Sequence, residues 1–73
     1  MDSNTTITLL FTEHAKQKMA MLGVTREQIK AAILRGAKVQ QTEGYLASYT
    51  YLKVAYKKIG PKTYKIKTVF IQP

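Results

Sequence analysis

Hydrophobic positions change their spacing once along this chain, near residue 37. Before that point apolar residues recur every three or four positions, and after it they alternate with polar ones. A short β-branched and aromatic run, ITLLF (7–11), comes first and reads as a strand. Thr12 then offers a hydroxyl to cap a helix, with Glu13 in the first turn, where the helix dipole favours a carboxylate. Ala15, Met19 and Leu22 form the apolar stripe of that helix, and Gly23 supplies its left-handed stop. A second helix starts at once. Thr25 and Gln28 make a capping box, Val24 is placed to staple against Ile29, and Ile29, Ala32 and Ile33 give a buried face flanked by Ala31 and Leu34. Gly36 ends it.

Beyond this point the period of two predicts strands over AKVQQT, YLASYTY and TYKIKTVFI, with LKVAYKKI either continuing the second strand or forming another. Turns are expected at Glu43-Gly44 and at the GPK run. Alternation carried through 45–57 puts Leu46, Thr50, Leu52, Val54 and Tyr56 on one face and Tyr45, Tyr49, Tyr51, Lys53 and Lys57 on the other. In 63–71, Tyr64, Ile66, Thr68 and Phe70 oppose Lys65, Lys67, Val69 and Ile71. The apolar face should receive the helices and leave tyrosines among lysines exposed. The expected fold class is α+β, with two N-terminal helices packed on one face of a twisted antiparallel sheet of three to five strands. At 73 residues the chain fits one domain over 1–73, with a frayed tail at 1–4.

Charge adds what the pattern leaves out. Lys and Arg number 12 against 4 Asp and Glu, a formal net charge of +8, and neither strand arm after Gly44 holds an acidic residue. Such a field attracts polyanions, of which nucleic acid is the commonest inside a cell; an acidic protein or anionic headgroups would answer the same charge. Excess lysine also simply keeps a small protein in solution. The absence of cysteine fits a reducing, cytoplasmic setting. The opening MDSNTTITLLF lacks the features of a signal peptide, and no apolar run approaches the roughly 20 residues of a membrane span, so no membrane partner is expected.

The inventory of reactive side chains is short. His14 is the single histidine, and Asp2, Glu13, Glu27 and Glu43 are scattered over separate elements, a pattern that supplies no clustered metal ligands and no catalytic triad. Paired carboxylates and glycine-rich phosphate loops are missing as well, so neither a metal nor a cofactor is expected. Metal-independent RNA cleavage needs only fixed cations around the phosphate and a group that moves a proton. Candidates for those roles are His14, Lys18, Lys53, Lys65 and Lys67, with Tyr49, Tyr51, Lys57 and Lys16 as RNA-binding groups, since a tyrosine ring stacks on a splayed base. Each has a plainer reading. His14 serves equally as a solvated histidine, Lys16 and Lys18 as a wet helix face, and Tyr49 and Tyr51 as cross-strand stabilisers.

The run His14-x-x-x-Lys18-Met19-x-x-x-Gly23-Val24-Thr25, followed by a second helix and a hairpin ending in TYKIKTVF, resembles a family of small proteins that open with H-x-x-x-R-M-x-E-R-G-I-[ST]. That family is similar to the RelE/BrnT-like toxins of toxin-antitoxin systems, which share a barnase-like fold of N-terminal helices on an antiparallel sheet. His14 matches the family histidine, Lys18 the arginine before Met, and Thr68-Val69 the closing T-V, while Met21-Leu22 stand where the family carries Glu-Arg. The resemblance implies an RNA-binding protein or metal-independent endoribonuclease on a RelE-like scaffold. The same resemblance implies action on mRNA, free or at the ribosome, and silencing by an antitoxin; a monomer or homodimer is expected. The alternative is a non-catalytic basic module that binds nucleic acid or an acidic protein.

Overall fold

Strand β1 (Thr8–Phe11) leads into helices α1 (Glu13–Leu22) and α2 (Arg26–Arg35), and strands β2 (Ala37–Gln41), β3 (Gly44–Tyr49), β4 (Leu52–Gly60) and β5 (Thr63–Ile71) complete the chain. These elements belong to a computed structural model that describes residues 6–72. The tail expected over residues 1–4 lies outside them.

Both helices begin where their caps dictate. The Thr12 hydroxyl accepts from the Ala15 N–H at 3.0 Å and donates to the Lys67 carbonyl at 3.1 Å, so one side chain starts α1 and ties its first turn to β5. At α2 the expected capping box is present. Thr25 N–H donates to Gln28 Oε1 at 2.8 Å, and Gln28 N–H donates to Thr25 Oγ1 at 3.2 Å. Gly23 closes α1 at φ 70°. Gly36 closes α2, as expected, at φ −75°, and a side chain is excluded there because a Cβ would lie 2.5 Å from the Ala32 and Ser48 carbonyl oxygens.

The five strands form one sheet in the order β1-β5-β4-β3-β2. Pairing is antiparallel from β2 to β5, but β1 joins β5 in parallel, with Thr8 beside Thr63 and Phe11 beside Ile66. The sheet is therefore mixed, which corrects the antiparallel sheet expected from the sequence, while the strand expected ahead of the two helices is present. A period of two is identical in parallel and antiparallel pairing, so the direction of β1 left no trace in the pattern. The last strand, β5, is interior. The free edges are β1 and β2.

Side-chain faces follow the register. Tyr49 pairs with Leu52 across the two-residue turn Thr50-Tyr51, which places Tyr45, Ala47 and Tyr49 on the same face as Tyr56, Val54 and Leu52. Alternation carried unbroken through that turn inverts β3, which is why Tyr45 and Tyr49 were expected on the wrong side. A second inversion comes from β5, where the partners step from Ala55–Thr68 to Tyr56–Ile66 and leave Lys67 unmatched. Val69, expected beside the lysines, is fully buried, as are Ala47, Val54 and Ile66. The core is this face of the sheet closed by Ala15, Val24, Ile29, Ala32 and Ile33 from the helices, with α1 over β5 and α2 over β3 and β4.

A tyrosine ladder crosses the sheet on the core side. Tyr45 stacks on Tyr56 with centroids 5.7 Å apart, and Tyr64 meets Tyr56 edge-on at 5.5 Å. Burial pushes the Tyr56 phenol above its ordinary pKa, and the neighbouring phenols of Tyr64 and Tyr45 push the same way. A raised folded-state value means stability that is complete below the unfolded value of about 10 and is lost as pH rises through the folded one. Urea unfolding across alkaline pH should show this loss, and Tyr56→Phe should flatten it; an identical slope in the variant would remove the phenol as its source. Gly44 starts β3 at φ 137°, and a Cβ there would collide with the Tyr56 carbonyl oxygen. Gly44→Ala is expected to lose on the order of 1–3 kcal/mol or more in a denaturant melt.

Candidate nucleic-acid interface

The face of the sheet opposite the helices carries no buried side chain among the described residues. Register arranges it in rows. Ala37, Ser48, Lys53 and Phe70 form one; Val39, Leu46, Ala55 and Thr68 form the next; Lys57 and Lys65 stand directly opposite each other in a third, with Leu10 beside Lys65. No acidic side chain occupies any of the five strands. Like charges directly opposite on a sheet are unfavourable, by about 0.2–1 kcal/mol, so the Lys57–Lys65 pair is a place where a bound anion relieves repulsion.

Lys67 sits where the β4–β5 register slips, and its ammonium reaches the Glu43 carbonyl in the β2–β3 turn at 2.6 Å. That bond fixes a positive charge across β4 and β3 and holds the turn to β5. It leaves the lysine half-buried and two of its three N–H donors unassigned among the described residues. Lys53 is also half-buried, whereas Lys57 and Lys65 are exposed. These sequence-identified cations, all on β4 and β5, are brought within one sheet.

The remaining candidates are placed elsewhere. His14 is exposed in the first turn of α1, and Lys18, one turn on, is half-buried. Lys16 lies 3.8 Å from Glu13, a solvent-exposed pair of little energetic weight. The helix packs against the other face of the sheet, so His14, Lys16 and Lys18 do not share the lysine surface; the Thr12 bond to the Lys67 carbonyl is the link that holds the histidine's turn beside β5. Tyr49 is half-buried against the core. Tyr51 stands 61% exposed in the β3–β4 turn. Both line a groove of about 270 Å³ with Val24, Glu27, Leu52 and Ile71, on the helix side and apart from the lysines.

Two residues of this surface escaped the sequence reading. Phe70 was assigned to the helix face, yet it pairs with Lys53 on the open one and is the aromatic ring that the register places there. Leu46, also assigned to the helix face, lies beside Ala55 on the open one. A turn placed at Thr50-Tyr51, where Thr50 adopts φ 53°, a conformation that a β-branched residue rarely takes, puts Leu46 on the open face, whereas Phe70 is turned over by the slip at Lys67. Among the described residues no group of three His, Asp or Glu side chains is placed to hold a metal, and no buried side-chain polar atom lacks a partner. No helix among them is long and apolar enough to cross a membrane. The polar chemistry of the described residues is therefore on the surface.

A scan against protein-family models finds no match, and a search of curated proteins finds none. Among solved structures, a chain of the toxin-antitoxin complex RelBE2 from Mycobacterium tuberculosis is similar over 90% of this chain and 98% of that one, with a TM-score of 0.57 and 16% sequence identity. At that identity the likeness is one of fold, and it agrees with the RelE-like scaffold that the sequence resemblance implies.

Proposed function

We propose that this protein binds RNA through the open face of its sheet, as a RelE-like toxin domain spanning residues 1–73. Lys53, Lys57, Lys65 and Lys67 hold phosphates, and Phe70 offers a ring to an unstacked base. The observation that carries this reading is the concentration of cations on one open sheet surface with no carboxylate on any strand, in a chain of net charge +8. A basic surface of this kind tracks a single strand by charge and stacking rather than by base-specific hydrogen bonds. An antitoxin that masks the same cations is the protein partner this reading implies, and the RelBE2 likeness supports it.

The reading extends to metal-independent cleavage, in which the 2′-hydroxyl gives up its proton and attacks the adjacent phosphorus, the P–O5′ bond breaks, the leaving 5′-oxygen takes a proton, and the fixed lysines neutralise the charge that builds on the phosphate. His14 is the proton-transfer candidate. It lies two residues beyond Thr12, whose hydroxyl is bonded to the Lys67 carbonyl, so its turn is tied to β5 although the imidazole does not share the lysine surface.

Binding of a single-stranded RNA is expected to weaken steeply with salt. Lys57→Ala plus Lys65→Ala should lower the slope of log affinity against log salt by about 1.4, two phosphate contacts at about 0.7 each. A slope unchanged in the double variant places the contacts elsewhere. For cleavage, incubation in EDTA should yield products ending in cyclic phosphate, reduced by His14→Ala and by Lys65→Ala plus Lys67→Ala. Equal cleavage by all of them would trace the activity to a contaminant.

A further inference from the structure

Strand β2 is an edge that no strand or helix among the described residues covers. All five of its residues are exposed, and it pairs with β3 through five consecutive positions without a register shift, so its outer side presents a regular row of N–H and C=O groups. Edge strands are ordinarily blunted by proline, bulges or charge. Here there is no proline and no slip, and Lys38 is the single charge. The opposite edge, β1, is shorter, at four residues.

We infer that β2 pairs with β2 of a second copy of this chain, antiparallel and centred on Val39, joining two five-stranded sheets into one continuous sheet. A two-fold axis at Val39 sets Lys38 against Gln40 of the copy and Ala37 against Gln41, so no like charges meet in spite of the +8 on each chain. Moving the axis one residue toward Lys38 would set that lysine against itself. Val39, 57% exposed, ends the row Thr68–Ala55–Leu46–Val39, and the copy continues the row with its own Val39 and Leu46. An axis perpendicular to the sheet keeps the helices of both copies on one side and their lysine faces on the other. The inference follows from strand register alone, so it stands or falls separately from RNA binding.

Nuclease-treated protein examined by sedimentation velocity over rising concentration should shift from the 8.3 kDa monomer to twice that mass. Rising salt should strengthen the dimer by screening the net positive charge of the two copies. Gln40→Glu creates two Lys–Glu pairs across the axis and should tighten association by about 2- to 30-fold, whereas Gln40→Lys should loosen it similarly. Val39→Lys, which sets two ammonium groups together, should leave a monomer whose circular dichroism is unchanged. A mass that stays at 8.3 kDa up to millimolar protein in high salt overturns the inference. So does association indifferent to both Gln40 variants. A dimer that salt dissolves would be two copies bridged by nucleic acid, and it would overturn the inference as well.

Discussion

Strand register governs this molecule, because moving the pairing by one residue sends each side chain through the sheet to the other face. Two local events set it. The reversal at Thr50-Tyr51 brings Tyr49 beside Leu52, and the slip at Lys67 brings Ile66 beside Tyr56 while leaving Val69 beside Val54. Together they put Ala47, Val54, Ile66 and Val69 under the helices and leave Lys53, Lys57, Lys65 and Phe70 on the open side. The core and the basic surface are thus two sides of one pairing pattern. A change that repaired the slip would exchange buried apolar residues for lysines.

The slip has an electrostatic consequence as well. It places the Lys67 side chain where it reaches the Glu43 carbonyl, so one cation is held by the backbone while Lys57 and Lys65 face each other with no carboxylate paired to them among the described residues. Acidic side chains among the described residues are confined to the helices and the β2–β3 turn. Mutual repulsion on such a face lowers the stability of the free protein slightly and favours any state in which an anion lies across it. Extending the sheet through β2 lengthens that face without bringing the charges closer, because the joining strand contributes valine and glutamine rather than lysine.

Much of the architecture was legible from local chemistry. Thr12, Thr25 and Gln28 announce both helix starts, and Ile29, Ala32 and Ile33 announce the buried side of α2, because capping and helical periodicity depend on residues within one or two turns. The cations of the candidate interface were legible as residue types, and Lys53, Lys57 and Lys65 do lie on the open face. Among the tyrosines, Tyr56 and Tyr64 fall on the core side as the alternation indicates, whereas Tyr45 and Tyr49 join them there only because the chain reverses at Thr50-Tyr51.

What the sequence determined by itself was therefore the two helices with their caps, a first strand ahead of them and strands after them, the positive charge and the shortage of metal ligands, all of which follow from composition or from neighbours close along the chain. Tertiary structure decided which face each strand residue occupies, the parallel entry of β1 beside β5, the burial of Val69, and the distance of α1's cations from those on the sheet. The physical reason is that alternation has the same period whatever the partner strand, direction or register. Only the closing of hydrogen bonds between distant residues selects among those possibilities.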